Sequence, residues 1–172
     1  MFRNPEIALD GLPDMEDLDW QQMHPRYARR MQMERLIFVA VAMAVSFVPA
    51  IASGGEFAPT VPLWVLVIVV AIPFLGWPLI SVPRRGYVIR SKDIVFKSGV
   101  FWRSVTAVPF NRVQHVETNN TPLDRKFGLA NLQIFTAGGS GGDLSISGLG
   151  ADVAERLRIY ILDKVGASIE NH

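Results

Sequence analysis

Residues Trp64 to Ile80 read WVLVIVVAIPFLGWPLI, and this stretch decides the architecture. It lies within an uncharged run from Phe57 to Pro83, long enough for a bilayer-spanning helix, which needs about 20 apolar residues. Trp64 and Trp77 stand near its ends, where amphipathic rings favour the headgroup region; burial of Trp77 against a neighbouring helix fits equally. Pro73 removes a backbone donor inside the span, so a kink covered by a second helix is expected there.

That second helix is found by reading toward the N-terminus. Leu36 to Gly55 is also uncharged, and its apolar part, LIFVAVAMAVSFVPAI, reaches spanning length if Ala52 to Gly55 contribute. Only SGGEFAPT separates the two runs, so residues 36–83 are expected to form a helical hairpin. Arg26, Arg29, Arg30 and Arg35 precede the first run, Arg84 and Arg85 follow the second, and the connecting loop has no basic residue. The positive-inside bias then puts both termini of this multi-pass protein in the cytoplasm. A cleaved signal peptide is not expected, because about thirty-five mostly polar residues come first. Neither run contains an ionisable residue, so a transport pathway through this chain alone is not expected.

Composition narrows the function classes. Hydrophobic residues make up 49% of the 172, unevenly spread, and formal net charge is +1. With no overall basic field and no stripe of interleaved basic and aromatic residues, nucleic-acid binding is not expected. The chain has no cysteine, which excludes disulfides, thiolate metal sites and cysteine nucleophiles.

From Gly86 onward the texture changes to short β-rich runs separated by turn residues. Tyr87 to Arg90 and Ile94 to Phe96 flank the polar turn Ser91, Lys92, Asp93, and Lys97, Ser98, Gly99 make the next turn. Val100 to Pro109 is expected as a third strand. Arg112 to Thr118 reads as a fourth, with Val113 and Val116 spaced by three in a way that a bulge reconciles. PLDRKFG, Pro122 to Gly128, suits one helical turn with Pro at its start and Gly at its end. Leu129 to Thr136 and Leu144 to Ser147 are the last strands. Asp152 to Val165 reads as an amphipathic helix, with Val153, Leu157, Tyr160, Ile161 and Val165 on the face that would cover a sheet. The fold class is therefore α+β: a transmembrane hairpin, then antiparallel strands and one closing helix. The expected divisions are 1–35 as a cytoplasmic N-terminal segment, 36–83 as the hairpin, 84–165 as the cytoplasmic domain and 166–172 as a tail.

The stretch GYVIRSKDIVFKSGVFWRSVTAVPFNRVQHVETNNTPLDRKFGLANLQIFTAGG, followed by ISGLGADVAERLRIYIL, resembles the bacterial pleckstrin-homology (PH) domain of YdbS-like membrane proteins. The resemblance rests on the step Val108, Pro109, Phe110, on Arg112, Val113, Gln114, on the turn Leu123, Asp124, Arg125, Phe127, Gly128, and on Thr136 to Gly139. It covers roughly Val82 to Leu162, and the preceding hairpin also looks like that of single-domain members. It implies a PH-like, seven-stranded, partly open barrel capped by the C-terminal helix, with no enzyme chemistry and no cofactor. It also implies a membrane-anchored interaction or scaffold module, whose partner is another membrane protein, a larger relative carrying several copies of the domain.

No catalytic constellation stands beside this. The glycine loop from Gly138 to Gly142 lacks the GK[ST] ending of a phosphate loop and reads as a flexible hairpin. His24, His115 and His172 are scattered, without a partnered nucleophile or metal-ligand spacing. The candidate lipid or partner contacts are basic: Arg84, Arg85, Arg90, Lys92, Lys97 and Arg103, with Arg125 and Lys126 on the PLDRKFG turn. Anionic lipid is their alternative target, by attraction of about 1 kcal/mol per charge near a membrane surface. At the turn itself, a local Asp124–Arg125 pair fixing the geometry is the favoured expectation. The acidic stretch from Asp10 to Asp19 reads equally as a short interaction helix or a solvated tail.

Overall fold

A computed structural model describes residues 18–52, 54, 61–137 and 144–169. The stretch from Asp10 to Asp17, most of the loop between the spans, the Gly138 to Gly142 loop and His172 lie outside the described residues.

Two apolar helices form the hairpin. The first comprises α1, Arg26–Ser46, continued after Phe47 by α2, Val48–Ala52; the second is α3, Val61–Ser81. With 21 residues α3 is about 31 Å long, matching the ~30 Å hydrocarbon core of a bilayer. Only 11% and 6% of the most apolar window of each helix is buried, so these are not core helices of a water-soluble domain. Side chains such as Ile37, Phe38, Val41, Leu66, Val69 and Ile72 stand exposed, as they do when lipid is the solvent. The helices run antiparallel, with Phe47 against Trp64 at one end, ring centroids 4.7 Å apart, and Phe38 against Phe74 further along, at 6.0 Å.

Helix α3 contains Pro78 as well as Pro73 and continues through both. Pro78 has no N–H to offer the carbonyl of Phe74, four residues back. Arg35 of α1 supplies the missing donor: its Nη1 hydrogen-bonds the Phe74 carbonyl, and its guanidinium lies 4.6 Å from the Phe74 ring centroid. The first helix thus supplies the second with a donor at Pro78, through a side chain, whereas the sequence pointed to Pro73.

Apart from the hairpin, seven strands among the described residues form two antiparallel sheets. One has the order β1-β2-β3-β4: Gln21–Gln22, Gly86–Ile89, Asp93–Ser98 and Ser104–Pro109. The other has the order β5-β6-β7: Val113–Asn119, Leu129–Thr136 and Leu144–Gly150. No pairing closes the two sheets into a barrel among the described residues. The first strand comes from before the hairpin, where the sequence alone indicated no part in the domain: Gln21 pairs with Tyr87 and Gln22 with Gly86. Met23 and Tyr27, which follow, are buried in the domain core.

The third expected strand is shorter than its residues suggested. Val100 to Arg103 turns instead of extending, because Gly99 at φ 114° bends the chain so tightly that a Cβ there would lie 1.7 Å from the Trp102 carbonyl oxygen. The bulge expected in β5 is present, with a register shift between Val113 and His115 against β6. Ile94, Leu132, Ile134 and Ile146 fill the core. Helix α5, Ala151–Ile169, covers it with Ala154, Leu157 and Ile161. Tyr160 sits at the rim of that face, edge-on to Phe110 with centroids 6.1 Å apart, and the helix runs past Val165 into the segment expected to be a tail.

Candidate functional site

The short helix α4, Pro122–Phe127, joins the domain to the membrane helices. Thr121 caps it: its Oγ1 accepts from the Asp124 backbone N–H, and Asp124 Oδ2 in turn accepts from the Thr121 N–H at 3.0 Å. Gly128, at φ 67°, ends it. Asp124 is almost fully buried, and its other carboxylate oxygen accepts from Arg30 Nε on α1 at 2.7 Å, while Asn131 donates to Oδ2 at 3.2 Å. Burial by itself would raise the Asp124 pKa. The hydrogen bonds from Thr121, the nearby Arg30 charge and the bond from Asn131 outweigh it, so the carboxyl titrates below its ordinary range.

The local Asp124–Arg125 pair expected from the sequence is therefore replaced by a distant one. Adjacent residues on a helix do not face each other. Asp124 turns inward to Arg30, and Arg125 and Lys126 point to solvent. Arg30 also pairs with Glu34 one turn on. A second link lies beside it: Tyr27 packs on Gly148, and Arg85 donates from Nη1 to the Tyr27 hydroxyl at 3.2 Å with its guanidinium 5.8 Å from the ring centroid. Arg85 thus ties the exit of the hairpin to its entry.

The remaining basic candidates divide by position. Arg84, Lys97 and Arg103 come together around a cavity of about 260 Å³ whose lining also includes Ser98 and Ser104 and no carboxylate. Arg84 donates from Nη1 to the Ile80 carbonyl at 3.2 Å, within the last turn of α3. Lys97 Nζ lies 4.0 Å from the centre of the Trp20 ring. Arg90 and Lys92 are at the opposite end of the β2–β3 hairpin, four paired residues away, a distance of about 13 Å along the strands. There Arg90 approaches Asp93 at 3.8 Å, and Lys92 faces Lys164 across a second cavity. The six cations that run together in the sequence are thus one cluster of three, one structural link and two residues at the far turn.

Between Gly99 and Ser104, Phe101 and Trp102 are 78% and 89% exposed, and the Phe101 ring lies 5.9 Å from that of Trp77 in α3. Their exposure was not foreseen, because Val100, Phe101 and Trp102 all favour strands. His115 Nε2 pairs with Glu117 at 2.8 Å on an exposed strand, and no group of three metal-ligating side chains occurs among the described residues.

A two-span hairpin fused to two antiparallel sheets and a closing helix is a membrane protein with a PH-like domain. The family described as "Bacterial PH domain" matches residues 33–165, and the chain belongs to that family. It is similar to the UPF0699 transmembrane protein YdbS of Bacillus subtilis (strain 168), with 28% identity over 151 residues covering 84% of this chain and 91% of the relative. No solved structure matches.

Proposed function

We propose that this protein is a non-enzymatic, membrane-anchored scaffold that holds its PH-like domain at a fixed orientation and engages another membrane protein, a larger relative with several such domains. We place it in the inner membrane with both termini cytoplasmic, on the strength of the arginines that flank the hairpin and are absent from its loop. The observation that carries the reading is on α5. Ile159 and Leu162, one turn apart, are 57% and 40% exposed beside Tyr160, on a helix that leads toward Lys164 and the turn of Lys92, the end of the domain away from the hairpin. Apolar side chains grouped on one stripe in water are what a partner surface supplies. The coupling of α1 to the domain through Arg30 and Asp124 keeps that stripe at a set height and direction.

The test is to isolate the full chain from native membranes in mild detergent and identify what remains in stoichiometric amount, for the natural chain and for Ile159→Glu with Leu162→Glu. A membrane protein retained by the first and lost from the second supports the reading. Retention by both removes α5 as the contact, and retention by neither removes the scaffold role.

A second reading, an anionic-lipid-binding module serving envelope maintenance or stress resistance, is favoured by one observation: the cavity lined by Arg84, Lys97 and Arg103 without a compensating carboxylate.

A further inference from the structure

We infer that the β3–β4 turn is a membrane-dipping wedge and that the cavity behind it holds the phosphodiester of an anionic phospholipid from the adjoining leaflet. The inference rests on the lipid reading above, to which it assigns a place and a ligand chemistry.

The position comes first. Arg84 lies just past the end of α3 at Ser81 and is bonded back to the Ile80 carbonyl, so the cavity it lines begins where the span ends. Leu79 and Ile80, in the last turn, are exposed apolar side chains of the span itself. Phe101 meets Trp77 one turn before them. The tip of the β3–β4 turn therefore reaches the level of the bilayer boundary without any rearrangement. A Trp that is 89% exposed and a Phe that is 78% exposed would be unfavourable in water, but they suit the interfacial region, where an indole keeps its N–H wet and its ring among acyl chains.

The chemistry comes second. Three basic residues and two serines, Ser98 and Ser104, line about 260 Å³ with no acidic residue in the lining. None of the three cations has an ion-pair partner among the described residues. Guanidinium groups bind phosphate oxygens through paired N–H donors, and hydroxyls complete the set. Lys97, in the same lining, is steadied by its Nζ lying 4.0 Å from the centre of the Trp20 ring. The bilayer presents phosphodiesters at this height at high local concentration, and a soluble phosphate has no such advantage. Gly99 matters because its φ of 114° makes the tight turn that places Phe101 and Trp102 ahead of the cations.

The experiment uses the full chain in lipid nanodiscs of phosphatidylcholine with a minor share of phosphatidylglycerol, followed by mild delipidation and native mass spectrometry to count retained lipid. One phosphatidylglycerol is expected to stay with the natural chain. Arg84→Gln with Arg103→Gln should weaken retention by about thirtyfold, the effect of removing two interfacial charges. Arg90→Gln with Lys92→Gln, at the far turn, should leave it unchanged. A preserved unfolding temperature shows that the first variant remains folded. Equal loss in both variants would mean that diffuse charge binds the lipid, which overturns the site while leaving the lipid reading standing. No retained anionic lipid on the natural chain overturns both. Displacement of the lipid by millimolar inorganic phosphate would assign the cavity to a soluble anion and overturn the choice of a membrane source.

Discussion

Arg30 and Asp124 are 94 residues apart in the chain, and their side chains meet at 2.7 Å with the carboxylate almost wholly enclosed. One is on the helix that enters the membrane and the other on a short helix of the domain, so the bond adds a buried polar link to the packing of Tyr27 on Gly148. Because Asp124 also completes the cap of α4, a single carboxylate fixes both the turn and its attachment.

Replacing Asp124 with Ala should be costly, since it leaves Arg30 without its buried partner and α4 without half of its cap. A loss of about 3–4 kcal/mol is expected, read as a fall in unfolding temperature of the chain in nanodiscs. Arg125→Ala, on the exposed side of the same helix, should change stability by less than about 0.5 kcal/mol.

The same carboxylate gives stability a pH dependence of known sign. Its pKa in the folded protein is depressed, so the stabilisation it provides is complete above the ordinary carboxyl pKa and is lost as pH falls through the lower folded-state value. Unfolding measured across the acid range should show a steeper decline for the natural chain than for Asp124→Asn. Parallel curves would show that other carboxylates govern the acid limb.

Gly148 is a second point of coupling. At φ 83°, with the Tyr27 ring occupying the place of a side chain, an alanine Cβ would fall 2.2 Å from Tyr27 Cγ. Gly148→Ala should destabilise by about 2–4 kcal/mol. Adding Tyr27→Ala removes the collision, so the double variant should lose clearly less than the sum of the two single losses, a non-additivity that a double-mutant cycle measures directly.

Within the membrane, Arg35 and Pro78 make a paired prediction. Arg35→Leu leaves the Phe74 carbonyl without a donor in lipid and should cost about 1–2 kcal/mol. In a Pro78→Ala background the helix recovers its own N–H at that place, and the cost of Arg35→Leu should shrink. An undiminished cost would show that the cation–π contact with the Phe74 ring, and not the carbonyl, is what Arg35 contributes.

The proposed orientation is open to a direct check, because the natural chain has no cysteine. Asn120→Cys in the domain and Glu56→Cys between the spans should react with a membrane-impermeant maleimide from opposite sides, with only Glu56→Cys labelled in intact cells.

The elements legible in the sequence were those specified by neighbours along the chain. Pro122 and Gly128 bracketed α4, three-residue spacing of Val113 and Val116 marked the bulge of β5, and uncharged length marked both spans. Residues governed by distant contacts were hidden. Gln21–Gln22 is too short to show any periodicity, and its pairing depends on a strand more than sixty residues later. The partner of Asp124 could not be chosen among many arginines. Phe101 and Trp102 have strong strand preference, and only the turn at Gly99 reverses it. The basic candidates clustered in sequence, but pairing of Gly86 with Lys97 and Ile89 with Ile94 sends Arg84 and Lys92 to opposite ends of one hairpin.

The two-residue strand β1 has a bearing on how the protein is made. It is synthesised before both spans, yet its hydrogen-bonding partner, β2, emerges only after them. The sheet can be completed only if the ribosome's product crosses the bilayer twice and returns to the side from which it left. A chain that inserted one span and stranded the other would keep Gln21 and Tyr87 on opposite faces of the membrane, with Met23 and Tyr27 missing from the core they help to fill. Completion of the domain core is thus conditional on both spans having been threaded.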